Sequence, residues 1–132
     1  MPILNITVSG TPDTVPSHKV AAILKEHTEG ILHKAPALTS IAVHYADPAH
    51  WYVGDSLAAQ KKATFFLDIK ISDETNTASE KAAYIAAVYR DMAALLGELH
   101  EVSYVHIDDA RPAAWGWGGL TQQFRAVSKM LT

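Results

Sequence analysis

The chain has 132 residues, a net charge of −3 with histidine neutral, and no cysteine. That length suits one domain with its own core, and the missing cysteine excludes disulfides, thiol catalysis and thiolate metal sites. Lys and Arg form no basic stripe, no apolar run reaches membrane-spanning length, and the start lacks a basic-then-apolar leader pattern. These features speak against nucleic acid, membrane and export, and lead us to expect a cytoplasmic protein.

The first strand is expected at Ile3 to Val8, ILNITV, where apolar and polar residues alternate with period two. The turn SGTPDTVPS follows. Thr14 is the expected N-cap, and Pro16 falls in the first turn, where its missing N–H costs little. The helix is expected over about 15–34, with Val20, Ile23, Leu24, Ile31 and Leu32 as its apolar face. SIAVHYAD, Ser40 to Asp47, is the next strand, and the aromatic-glycine stretch Trp51 to Asp55 comes after it.

The same order then repeats. FLDIKI, Phe66 to Ile71, matches the first strand: Leu4 meets Leu67, Asn5 meets Asp68, Ile6 meets Ile69 and Val8 meets Ile71. Thr77 and Glu80 form a capping box for a helix whose inner stripe is expected to be Ala82, Ile85, Val88, Tyr89, Met92 and Leu96, with Gly97 as its stop. SYVHIDD, Ser103 to Asp109, is the last long strand, and Trp115 to Gly119 is the second aromatic-glycine stretch. The chain therefore reads as one domain, 1–132, of two pseudo-symmetric β-α-β units at about 1–62 and 63–132. A helix between two strands allows them to lie parallel with a right-handed crossover. Two such units give an α+β fold, a four-stranded mixed sheet with both helices on one face. The other face is left uncovered. If apolar, such a face signals assembly, and a trimer of two-unit chains has six-fold pseudo-symmetry.

This pattern resembles the tautomerase superfamily, which is built from β-α-β units with an amino-terminal proline. The stretches MPILNI, SIAVH and Asp109 to Trp117, together with the internal repeat, carry the resemblance over nearly the whole chain. The paired halves look like the fused branch that includes macrophage migration inhibitory factor. The resemblance implies a homotrimer with three sites, each near one Pro2 and shared with an adjacent subunit. It also implies tautomerisation of enols and keto acids as the base activity. Relatives include dehalogenases and a decarboxylase that use the same proline.

Removal of Met1 before a small second residue would make Pro2 a secondary amine. An α-amino group titrates near ~7.7–8.0, and burial in an apolar pocket disfavours its charged form. A neutral amine is then available as general base near neutral pH, and its conjugate acid returns the proton. The second unit has Phe65 at the matching place, inside the chain, so only the first unit can carry the base.

The supporting residues follow from the resemblance. Lys34 matches a substrate-contacting lysine of the inhibitory-factor branch, although a lysine ending a helix also answers the macrodipole. Lys70 aligns with an apolar pocket residue of that branch and would place a cation beside Pro2, or else faces solvent. Tyr104 and His106, two apart on one strand face, align with residues that reach a neighbour's proline pocket. Arg111, before the second aromatic-glycine stretch, is a candidate to reach a subunit interface, as is Arg125 in the C-terminal tail. Trp115 and Trp117 wall an apolar pocket or simply pack. GTPDT lacks the arginine of the simple tautomerases, and SDETNT lacks the paired arginines of the haloacrylate hydrolases. The seven histidines show no HxH or HExxH spacing, so no metal is expected, and no cofactor. The expectation is a cofactor-independent isomerase for a small 2-keto acid or related enol. The alternatives are a dehalogenase- or decarboxylase-type enzyme on the same fold, or a non-enzymatic interaction protein with a vestigial Pro2.

Overall fold

A computed structural model describes residues 2–131 of the chain. Alternation at the N-terminus produces strand β1 (Ile3–Ser9), whose Leu4, Ile6 and Val8 are fully buried. Helix α1 (Ser17–Gly30) follows, then strand β2 (Ser40–Ala46), which lies parallel to β1 in the register Ile3 to Ser40. The second unit repeats this with β5 (Phe65–Ser72), α3 (Ala78–Leu96) and β6 (Tyr104–Ala110), again parallel. Between the units lie two-residue strands β3 (Tyr52–Val53) and β4 (Asp55–Ser56) and a one-turn helix, α2 (Leu57–Gln60). The chain closes with β7 (Gly116–Trp117), β8 (Leu120–Thr121) and helix α4 (Gln122–Met130).

The sheet order is β2-β1-β5-β6, with β1 and β5 antiparallel. Leu4 stands opposite Ile69 and Ile6 opposite Leu67, so the matched residues of the two units meet across the centre of one core. The aromatic-glycine stretches are separate two-stranded hairpins, β3-β4 and β7-β8, outside the main sheet. Among the described residues no helix is long and apolar enough to cross a membrane.

Four local expectations change. Helix α1 begins at Ser17 behind Pro16, which makes no side-chain cap, because Thr14 is engaged in the preceding turn with Thr11. It ends at Gly30, and Lys34 lies beyond it. The buried stripe of α3 is Tyr84, Ala87, Val88 and Met92; Ala82 and Ile85 are exposed. Tyr84 displaces them because its hydroxyl shares a 2.9 Å hydrogen bond with Thr28 Oγ1, which makes a fully buried tyrosine tolerable. Burial also pushes the Tyr84 phenol up to about 12. Finally, the uncovered sheet face is mixed rather than apolar: Asn5, His44, Asp68, Lys70 and His106 stand among exposed Ile3, Phe66 and Tyr104.

Two polar pairs staple α1 to α3: Thr28 to Tyr84, and His27 Nε2 to Asp91 Oδ2 at 2.5 Å. The capping box forms as expected, with Glu80 N–H donating to Thr77 Oγ1 and Thr77 N–H to Glu80 Oε1. Tyr84→Phe leaves the Thr28 hydroxyl buried without its partner. It should cost about 1 kcal/mol in urea unfolding, and adding Thr28→Val should recover part of the loss. Hydrogen bonds from Arg90, then from His27, hold the Asp91 carboxyl below its ordinary range. Its stabilisation is therefore present above the unfolded carboxyl's pKa and is lost as pH falls through the lower folded value. Asp91→Asn should lower stability near neutral pH and converge with the parent in acid, read from unfolding midpoints across that range.

Candidate active site

Pro2 precedes β1, and its carbonyl accepts a hydrogen bond from Ser40 N–H at 3.1 Å, which carries the β1-β2 pairing one residue outward. The residue is buried. It borders a cavity of about 300 Å³ whose other walls include Leu38, Ser40, Trp115, Trp117 and Gln122. Leu38 comes from the 3₁₀ turn Pro36–Leu38, Ser40 opens β2, and Trp115, Trp117 and Gln122 come from the far end of the chain. Among the described residues no charged side chain lines this cavity. Low polarity and aromatic walls are the environment that favours a neutral amine.

The C-terminal walls are built by local rules. After β6 the 3₁₀ turn Pro112–Ala114 redirects the chain into the β7-β8 hairpin. Gly118 and Gly119 take φ of +61° and +80°, a left-handed turn that side chains resist. At Gly116 the strands approach so closely that a Cβ would lie 2.0 Å from the Leu120 carbonyl oxygen. Thr121 then caps α4, accepting from Phe124 N–H at 3.0 Å, and Gln122 N–H donates to the Trp115 carbonyl at 2.9 Å. The Arg125 guanidinium stacks 3.5 Å from the Trp117 ring centroid, and its Nη2 donates to the Trp117 carbonyl at 3.0 Å. The Trp115 indole N–H is buried with no acceptor among the described residues.

The pseudo-equivalent place at the other end of the sheet is built differently, and Leu57 there lines a separate cavity of about 570 Å³. There Leu57 N–H donates to the Trp51 carbonyl at 2.9 Å, as Gln122 does to Trp115. Leu57 is fully buried where the second unit has Gln122, and Phe65, 1% exposed, stands where the first unit has Pro2. Leu57 of the first unit and Phe65 of the second thus stand where Gln122 and Pro2 stand at the other end.

Of the residues expected at the site, Pro2 and Trp115 share the cavity within one chain. Lys70 stands on β5 opposite Ile3, one residue from Pro2, but on the uncovered face, where it pairs with Asp68 Oδ2 at 3.0 Å. Lys34 donates to Thr75 Oγ1 at 2.9 Å; burial lowers its pKa, opposed by Glu80 and Asp109. Tyr104, 65% exposed, and His106, 3.7 Å from Asp68 Oδ1, lie on β6 two strands from β1. Arg111 is exposed at the start of the 3₁₀ turn, its carbonyl bonded to Ala114 N–H. Among the described residues no group of three potential ligands is placed to hold a metal ion.

Leu38 and Gln122 were not singled out by sequence reasoning, and Arg125 was considered only as a candidate to reach a subunit interface. The signal was present for α4: Thr121 as a cap, with Phe124 and Val127 at helical spacing. It was obscured because Phe124, Val127 and Met130 are all half-exposed or more, so the helix buries no apolar stripe in this chain.

No family model matches the chain, and no curated protein does. Solved structures do. A wild-type fused 4-OT that forms a symmetric trimer superposes with a TM-score of 0.76 at 18% identity, over 92% of this chain and 96% of that one. The macrophage migration inhibitory factor of Trichinella spiralis gives 0.71 at 18% identity, over 90% and 98%. A malonate semialdehyde decarboxylase inhibited by 3-bromopropiolate gives 0.70 at 12% identity, over 96% and 96%. The likeness is one of fold: the chain shares the fold of these three proteins over nearly its full length.

Because the Gly116 contact is with backbone, Gly116→Ala should break the β7-β8 hairpin and open the wall beside Pro2. The expected readout is red-shifted tryptophan emission from Trp115 and Trp117 and a stability loss of about 1–3 kcal/mol.

Proposed function

We propose that the protein is a cofactor-independent keto–enol tautomerase of the cytoplasm, acting on a small 2-keto acid or related enol. The observation that carries this reading is the position of Pro2: buried, at the end of the central strand, against an uncharged cavity walled by two tryptophans. With Met1 removed, the ring nitrogen is a secondary amine in surroundings that lower its basicity into the neutral range. It removes the proton from the enol oxygen or the α-carbon and returns it at the other end of the three-atom system. The pyrrolidine ring fixes the direction of the lone pair. The Trp115 indole N–H, which has no acceptor among the described residues, is available to stabilise the developing oxyanion.

The proposal includes a homotrimer, as in the fused 4-OT described as a symmetric trimer. The uncovered sheet face supports it, because exposed Phe66 and Tyr104 stand directly opposite each other on adjacent strands of that face. In such an assembly Tyr104 and His106 of one subunit reach the Pro2 site of the next, and Lys34, Lys70 and Arg111 supply positive charge around its rim.

The test is ketonisation of phenylenolpyruvate by the parent and by Pro2→Ala, after intact-mass confirmation that Met1 is absent from both. Alanine keeps a free amine but loses the ring. A fall in kcat/KM of about 10² or more is expected. Equal rates, or no turnover by the parent, would remove the tautomerase reading.

A further inference from the structure

A second cavity, of about 500 Å³, opens beside the one at Pro2, and Leu38, Trp117 and Gln122 belong to both. The two differ in charge. Among the described residues the Pro2 cavity has no charged wall, whereas the second carries Arg125, Lys129 and Asp73.

Arg125 is held as a solvated surface arginine is not. Its guanidinium lies on the Trp117 ring, and its single hydrogen bond among the described residues runs from Nη2 to the Trp117 carbonyl. Its Nε is buried with no acceptor among the described residues, and Asp73 in the same wall makes no ion pair with it. A rotamer-rich side chain is thus ordered by stacking, half removed from water, and left with unused donors and no counter-anion. Such an arrangement is costly unless an anion completes it, and the planar fork of arginine matches a carboxylate in two-point geometry.

We infer that the substrate spans both compartments, its reacting carbon in the uncharged aromatic compartment beside Pro2 and its carboxylate on Arg125. The inference rests on the proposed tautomerase reading and assigns that site its anion-binding residue. Trp117 serves both compartments: one ring walls the reaction cavity and orients the cation.

Isothermal titration with phenylpyruvate and with its methyl ester tests this. The parent should bind the acid on the order of tenfold or more tightly than the ester. Arg125→Gln, checked for folding by circular dichroism, should bind both alike, and in turnover it should raise KM for phenylenolpyruvate while kcat stays within a few-fold. Equal binding of acid and ester by the parent overturns the inference without need of any variant, as does an acid preference that survives in Arg125→Gln. Pro2→Ala separates the two readings. An Arg125-dependent acid preference that persists there, or in a parent that does not turn over the enol, supports the anion site whatever becomes of the tautomerase reading.

Discussion

The structure depends on the antiparallel pairing of β1 with β5. Asn5 and Asp68, matched residues of the two units, stand opposite each other at its centre. Leu4, Ile6, Leu67 and Ile69 consequently point to one side, and each of them is fully buried. Strand side chains alternate with period two, so a slip of one residue in this ladder would turn one unit's core residues to the opposite face. Because each unit brings its helix over the same face, that single register makes two half-sized units share one core. Neither β-α-β unit has enough apolar surface to cover its sheet alone.

The same pairing places unlike residues at two matching ends. The end of β1 holds Pro2, and the matching end of β5 holds Phe65. Phe65 is packed into the core at its end. Pro2 instead borders a cavity, with Gln122 in the place of Leu57. The walls of the open end are then set by the C-terminal hairpin and α4, held by Arg125 on Trp117 and by Gln122 N–H on the Trp115 carbonyl.

The strands, the order of elements and the capping box were legible because each is written in short range: alternation, turn residues, and a Thr-x-x-Glu start. The face of α3 was not. Counting apolar residues favours Ile85, but a hydrogen bond to Thr28, on another helix, makes Tyr84 the buried residue. The mixed character of the uncovered sheet face was readable in principle from Asn5, Asp68, Lys70 and His106. It was set aside because the matched apolar positions drew the inference.

The sequence by itself determined the two-unit plan, the α+β sheet and the candidate status of Pro2, since periodicity, repeats and residue chemistry are properties of a linear string. Only the tertiary structure decided which residues surround Pro2. Leu38, Trp117 and Gln122 lie far from it along the chain and line its cavity, while Arg125, stacked on Trp117, lines the adjoining one; a glycine turn and a hairpin bring them there. The physical reason is that a cavity is defined by what fails to fill it, and that depends on the joint packing of distant side chains.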